Sequence, residues 1–591
     1  MRAMDDVLFH RGPDEGGFHI GPIGAMGMRR LSIIDLDCGH QPMVDRSGKY
    51  RIVYNGEIYN YRALRAELEQ LGYSFATQSD TETILLGYAA WGAEVVDHLS
   101  GMFAFCIFDE GCGTAFFARD HIGKKPLYLW SHAGRLYFAS EIKAFLKHSE
   151  FKRELDLQSL SHYLTLKHIP APRSIFKGVQ QLPAGHRATY DGETLRIESY
   201  YRPRFDGAQS ISEEEAAEEL LRLLRQAVRA RMVASDVPVG SYLSGGIDSS
   251  LIAALAVEIS GKSIHTFSMG YAEEISHKGD IPFARMMAER LGTQHHELFI
   301  TADDVLSNLP AVIRAFDEPF AGTVSPYFLT ALIQEHVKVA VSGDGADELF
   351  GSYAAHRAAP LIAGIRNGGS DYGSFAKNRD VIDRCIDQDE SVWRTMFLSF
   401  TDAEKAELFP ESQRLQSTSA YFDPFYQDAH GDLVNRTLEV EVRTLLPDGV
   451  LTYVDRLSMA HSVEVRAPFL DRALVDFAGS LPGTLKVRTD ATKSVLKRAA
   501  TKVLPPEIIN RPKVGFILPI DTWLGERFNQ LVDRVTSQEA LSHGLFTPHV
   551  VKSYVDEHRS GFHNHTYKLW TLIVFQLWYE QYVSEPYSNC V

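Results

Sequence analysis

From Met1 to about Tyr200 the apolar residues come in short runs broken by Gly, Asp and Tyr. Tyr50–Tyr54 (YRIVY) and Gly101–Phe108 (GMFAFCIF) are rich in aromatic and β-branched residues and predict strands. Between them Tyr61–Leu71 (YRALRAELEQL) reads as a helix, closed by Gly72. This mixture predicts an α+β domain built largely of antiparallel strands.

The pattern changes after a Pro/Gly/polar stretch, Arg202–Ser210 (RPRFDGAQS), which reads as a linker. Ser212 and Glu215 then fit a capping box, and Leu220, Leu221, Leu224, Ala227 and Val228 recur at helical spacing. Strand and helix signals alternate from there. Val237–Leu243 reads as a strand, followed by a Gly-rich loop and a helix to about Ser260 ended by Gly261. Ile264–Met269 is a strand, Phe283–Leu291 a helix ended by Gly292, and His296–Ile300 a strand. That rhythm predicts a parallel α/β sheet with helices on its faces. From about Phe350 the pattern is mostly helical, and the apolar-rich helix Tyr567–Tyr582 suits core packing. No internal repeat is visible. The expected division is 1–201, a 202–211 linker, and 212–591.

Composition narrows the classes. A chain of 591 residues carries more than one domain. Its 45% hydrophobic and 23% charged residues are those of a globular protein. With 60 Lys+Arg against 76 Asp+Glu, the net charge of −16 disfavours general nucleic-acid binding. Cys38, Cys106, Cys112, Cys385 and Cys590 are scattered, with no C-x-x-C pair or zinc spacing, so free thiols in a reducing compartment are expected. No apolar run approaches the ~18 residues that span a bilayer, and the opening MRAMDDVLFHRGPDEGG lacks a secretory apolar core. The expectation is a soluble cytoplasmic protein with no membrane partner.

The most informative segment is VGSYLSGGIDSS, Val239–Ser250. A strand runs into Ser244, Gly245, Gly246, Ile247, Asp248, Ser249 and Ser250, and a helix begins there. Adjacent glycines let the backbone approach an anion, the first helical N–H groups face it, and serine hydroxyls add donors. This is a phosphate cradle without the lysine of a Walker A loop. Asp248 would repel phosphate unless a cation lay between them, and Mg²⁺ takes carboxylate and phosphate oxygens together. A second acidic Gly loop follows Lys338–Val341: Ser342, Gly343, Asp344, Gly345, Ala346, Asp347, Glu348. In a doubly wound sheet both loops open on one cleft, which makes Asp248 and Asp347 a candidate Mg²⁺ pair.

SGGIDSS resembles the signature of the ATP pyrophosphatases. Joined with FDEP (316–319), VSGDGADELFG (341–351), LLPDGVLTYVDRLSMAHSVEVRAPFLD (445–471) and TKSVLKRA (492–499), it is similar to the glutamine-dependent asparagine synthetase family. The resemblance implies that an aspartate carboxylate attacks the α-phosphate of ATP, giving an acyl-adenylate and pyrophosphate, after which ammonia displaces AMP. It implies that Ser244, Gly245, Gly246, Asp248, Ser249, Ser250 and Ser342 lie at the phosphates. Leu243, Ser268, Met269 and Gly270 would flank the adenosine, and Gly343 would close over the nucleotide. Asp344 would deprotonate the attacking ammonium, and Lys493 would neutralise the α-phosphate. Amidation of another carboxylate by the same chemistry, and a non-catalytic binding protein, remain alternatives.

HRGPDEGG (10–17), RRLSIIDLDCGHQPM (29–43), NGEIYNY (55–61), SDTE (79–82) and ARDHIGKKPLY (118–128) resemble the family's N-terminal-nucleophile glutaminase domain. By that resemblance Arg30 grips the glutamine α-carboxylate, Glu57 and Asp80 hold its α-ammonium, and Asn55 and Gly56 donate to the oxyanion. In isolation, Asn-Gly is more often a hairpin turn. The family's nucleophile is a Cys at the first position, and this sequence opens on Met1 nine residues before His10. The expectation is a shortened start, with a real loss of the nucleophile as the alternative, an exposed sheet edge, and a glutaminase half inactive as written, with free ammonia still usable. Small-molecule substrates are the implied partners, and relatives often pair as homodimers.

Overall fold

A computed structural model describes residues 1–591 apart from 273–278, 411, 413–414, 512–517, 527 and 585–591. Cys590 therefore lies outside the described residues.

The first half is built on a six-stranded antiparallel sheet in the order β11-β10-β6-β5-β4-β3. Its strands are β3 (Met43–Val44), β4 (Tyr50–Ile58), β5 (Gly101–Asp109), β6 (Thr114–Arg119), β10 (His186–Tyr190) and β11 (Leu195–Ser199). β4 and β5 pair along their whole length, from Tyr50 opposite Asp109 to Ile58 opposite Gly101. Alternate residues of β5 enter different cores. Phe103, Phe105 and Ile107 pack under the helices, while Ala104, Cys106 and Phe108 face a second sheet layer. That is why β5 is buried throughout instead of half-exposed. The second layer holds the pair β1 (Glu15–Ile20) and β2 (Ala25–Arg30) and the three-stranded sheet β8-β7-β9. These last strands are β7 (Tyr128–His132), β8 (Arg135–Ala139) and β9 (Val179–Gln181).

The second half carries a parallel sheet in the order β14-β13-β12-β15-β16. Its strands are β12 (Val239–Tyr242), β13 (His265–Tyr271), β14 (Gln294–Ile300), β15 (Val339–Val341) and β16 (Glu464–Arg466). Chain order reverses between β12 and β15, so the loops leaving these two strands sit at the switch point where such sheets bind ligands. The helix boundaries follow the sequence signals. Ser212 and Glu215 form the reciprocal capping box of helix Glu213–Val233. Gly261 and Gly292 adopt left-handed φ of 64° and 65° to end helices Ile247–Ser260 and Ile281–Leu291. Thr566–Tyr579 forms the apolar helix near the C-terminus, with Leu569, Trp570 and Trp578 buried.

The segment expected as a linker has no regular secondary structure but is not loose. Gly207 N–H donates to Gly479 O at 3.1 Å and Gln209 N–H to Ser480 O at 3.0 Å. Phe205 is fully buried under the Lys486 ammonium. One apolar core runs across the halves, from Tyr54 and Phe105 through Leu220 and Leu224 to Leu251 and Phe469. Among the described residues, no helix is long and apolar enough to cross a membrane.

Candidate active sites in the two halves

The loop after β12 is shaped by its own serines. Ser244 Oγ lies 2.9 Å from Ser249 Oγ, Ser244 N–H donates to Ser249 Oγ at 3.1 Å, and Gly246 N–H donates to Ser244 Oγ at 3.3 Å. Gly245 has φ of +71°, and a Cβ there would fall 2.6 Å from Ala284 N and Phe283 Cβ, so only glycine fits. Gly246 caps the helix Ile247–Ser260, and Ser250 is buried in its first turn. Leu243 is buried beneath. At the neighbouring strand end Ser268 Oγ lies 3.0 Å from His295 Nε2, with Met269 buried and Gly270 against Ile281.

The loop after β15 touches the first one. A Cβ on Gly343 would stand 2.9 Å from both Asp248 Cβ and Ser249 N, so the two backbones meet where a side chain is missing. Ser342 Oγ–H donates to Asp344 Oδ2 at 2.6 Å. Burial lifts the Asp344 carboxyl above the usual carboxylate range, with Asp347 adding to the rise and the Ser342 hydrogen bond and Lys124 opposing it. Lys493, at the start of helix Ser494–Ala500 with φ of +54°, joins the loops. Its Nζ stands 2.6 Å from Asp248 Oδ2 and 2.5 Å from Asp347 Oδ1. Burial alone would lower the Lys493 ammonium, but the two carboxylates outweigh it and hold its pKa above the ordinary lysine range. A phosphate-shaped bend, a buried carboxyl and a lysine between two aspartates thus share one place.

Arg30, Asn55, Gly56, Glu57 and Asp80 gather around a cavity of about 780 Å³ between the two sheet layers of the first half. Asn55–Gly56 is not a hairpin turn. It lies inside β4, with Gly56 at φ of +148° and a Cβ there only 2.0 Å from Met102 O. Asn55 Nδ2 and Glu57 Oε2 are buried without a hydrogen-bond partner among the described residues, so an amide donor and a carboxyl oxygen face the cavity from one wall. Burial raises Glu57 well above the carboxylate range against the pull of Arg466. Asp80 accepts from Tyr54 Oη–H at 2.9 Å and Ile58 N–H at 3.0 Å, and burial pushes it up to about 6. The Arg30 guanidinium already donates to Ile34 O at 2.8 Å and Asp35 O at 2.9 Å and pairs with Glu15 at 3.3 Å. Cys106 lines the same cavity, but burial pushes its thiol well above the ordinary range, the opposite of an activated nucleophile.

Sequence reasoning missed the connection between the sites. Arg466 and Glu464 of β16 reach across to the first half, and an unbroken chain of ion pairs follows. Glu57 meets Arg466 at 3.3 Å, Arg466 meets Glu464 at 2.9 Å, and Lys125 meets Glu464 at 3.7 Å and Asp455 at 3.6 Å. Arg11 bridges Asp455 and Glu141 at 2.8 Å each, and Arg456 joins Glu141 at 3.1 Å to Asp317 at 3.4 Å. The alternation V-E-V-R at 463–466 carries no local signal of ion pairs buried against the other half.

An antiparallel two-layer half with a polar-walled cavity, joined to a parallel α/β half with a phosphate-type bend at its switch point, defines a two-part glutamine amidotransferase. Residues 1–201 match the glutamine amidotransferase domain model and residues 219–580 the asparagine synthase model. A putative glutamine-hydrolysing asparagine synthetase of Mycobacterium tuberculosis is 35% identical over 98% of this chain and 93% of its own length. Glutamine-hydrolysing asparagine synthetase 1 of Bacillus subtilis is 32% identical over 99% of this chain and 94% of its own. The solved glutamine phosphoribosylpyrophosphate amidotransferase of B. subtilis aligns at 14% identity and a TM-score of 0.27, over 51% of this chain and 88% of that one. The chain belongs to the glutamine-dependent asparagine synthetase family.

Proposed function

We propose that this protein converts aspartate to asparagine with ATP and ammonia, releasing AMP and pyrophosphate through a β-aspartyl adenylate. The observation that carries the reading is the Lys493 ammonium held 2.6 Å from Asp248 and 2.5 Å from Asp347 where the two glycine loops touch. Pyrophosphate leaves well only when its developing charge is met by preorganised donors and cations. The first N–H groups of helix Ile247–Ser260 and the hydroxyls of Ser244 and Ser249 supply donors. Lys493 meets the α-phosphate as the aspartate carboxylate adds to it. Asp344, whose carboxyl burial raises above the usual carboxylate range, accepts the proton of the incoming ammonium.

Two carboxylates that already converge on one cation make a hard-oxygen donor set suited to Mg²⁺, so Asp248 and Asp347 would hold it. The ion would supply charge neutralisation at the pyrophosphate.

In the first half, Glu57 and Asp80 offer two acids to an α-ammonium, Arg30 a cation to an α-carboxylate, and Asn55 and Gly56 donors to an oxyanion. The unpaired Asn55 Nδ2 and Glu57 Oε2 support glutamine as the ligand. These residues supply groups for glutamine binding, and free ammonia is the nitrogen source that tests the synthetase half by itself. The test is AMP release with Mg-ATP, ammonia and aspartate. AMP together with asparagine is the expected outcome. AMP only with another carboxylic acid would move the assignment to amidation of that acid, and none with any acid would end it.

A further inference from the structure

Three imidazoles meet on the parallel sheet away from the glycine loops. His265 opens β13, His296 lies on β14, and His336 sits in the turn between helix Ser325–Ile333 and β15. Strand register brings them together. Phe267 stands beside His296 across the parallel pair, so His265, Phe267 and His296 share one face of the sheet. The turn lays His336 over that face, its ring 3.9 Å from His296 and 5.4 Å from His265, centroid to centroid. Gly240 on β12 makes room, because a Cβ there would fall 2.9 Å from the Phe267 ring and 3.1 Å from Val337. Along β13, Ser268 lies three positions and Gly270 five positions beyond His265, roughly 10 and 17 Å of extended chain, so the cluster sits at the other end of the strand from the reaction cleft.

One nitrogen of each ring lies within 4.8 Å of one from each of the others. His265 Nδ1 and His296 Nε2 share a hydrogen bond of 2.9 Å. Among the described residues these rings make no other side-chain hydrogen bond and no ion pair with a carboxylate. Burial, with His336 nearby, holds His265 and His296 below the usual histidine value. The next residue, His295, is different: it is engaged by Thr266 and Ser268.

We propose that His265, His296 and His336 form a binding site for a borderline divalent transition ion, Zn²⁺ being the best fit, with water as the fourth ligand. Three imidazoles are a donor set that soft-to-borderline ions prefer over Mg²⁺. Tetrahedral bonds of ~2.1 Å place ligand nitrogens roughly 3.4 Å apart, and the three ring nitrogens already lie within 4.8 Å of one another. The proton shared by His265 and His296 moves to the outer nitrogen of its own ring through solvent, so no net proton is lost. The ion would tie the outer strand β14 to β13 and to the turn before β15, stabilising the sheet's free side. The other cluster, Glu557 with His563 and His565, is already closed by its own hydrogen bonds of 3.1 and 2.7 Å and serves as the control.

The test uses the untagged full chain stripped with EDTA, titrated with Zn²⁺ by calorimetry and with Co²⁺ by visible absorption. One tight equivalent, tetrahedral Co²⁺ bands and a Zn²⁺-dependent rise in Tm are expected. His336→Gln should weaken Zn²⁺ at least about tenfold and remove the bands, with circular dichroism and Mg-ATP-dependent AMP release unchanged. His296→Gln should repeat the loss, and the paired His563→Gln/His565→Gln variant should bind as wild type. Undiminished binding in both His336→Gln and His296→Gln, loss only in the paired variant, or an octahedral aqua-type Co²⁺ spectrum would overturn the site.

Discussion

At the scale of single residues, carboxylates set the chemistry, and their surroundings set their charge. Asp248→Asn removes one of the two acids on Lys493 while keeping its shape. AMP and pyrophosphate release should fall about 10²–10³-fold with the circular dichroism spectrum unchanged, and a pyrophosphate-coupled assay reads it. Normal turnover would end the assignment of Asp248 and Asp347 to the cation. Asp80 makes a pH prediction. Its folded pKa of about 6 lies above the 3.8 of a free aspartate, so folding takes up a proton between these values. Its contribution is favourable below about pH 4 and is lost as pH rises through 6, leaving an ionised buried carboxylate that costs about 3 kcal/mol at neutral pH. Asp80→Asn should therefore raise Tm relative to wild type increasingly from pH 4 to 7, and should weaken glutamine binding. Melting curves across pH check the first effect and calorimetry with glutamine the second.

At the scale of elements, two close approaches hold the candidate sites, and both depend on an absent side chain. Gly343→Ala would press a methyl against the backbone of Asp248 and Ser249. We expect a stability loss of about 1–3 kcal/mol and a larger loss of AMP formation than of fold, measured by denaturant melts and turnover. Gly56 plays the corresponding part against Met102 O in β4. The element scale is also where local reading succeeded unevenly. Gly261, Gly292 and the Ser212–Glu215 box marked helix ends because caps are local chemistry. Asn55–Gly56 would pass for a turn on its own, yet it continues a strand, because nine paired residues of β5 override a two-residue preference.

At the scale of the whole molecule, the halves are joined by a shared apolar core and by the ion-pair chain from Glu57 to Asp317. Arg466 is the link that enters the glutamine cavity's wall. Arg466→Met strands Glu57 without its cation and leaves Glu464 only Lys125, and it should cost about 3–5 kcal/mol. Adding Glu57→Gln should recover part of that loss in a double-mutant cycle. Additive losses, seen by chemical denaturation, would show that the pair does not couple across the halves.

The sequence by itself determined what neighbours along the chain decide: the glycine-serine bend and its helix, the capped helix ends, the α/β alternation, and the residue types that a zwitterion or a phosphate requires. Tertiary structure alone decided what meets across hundreds of residues. Asp248, Asp347 and Lys493 converge because β12 and β15 adjoin at the point where strand order reverses. Arg466 reaches Glu57, and His336 reaches His265 and His296, through sheet order and register. Local physics writes caps and loops, whereas pairing between distant strands follows from burial of the whole chain, which no short window of sequence contains.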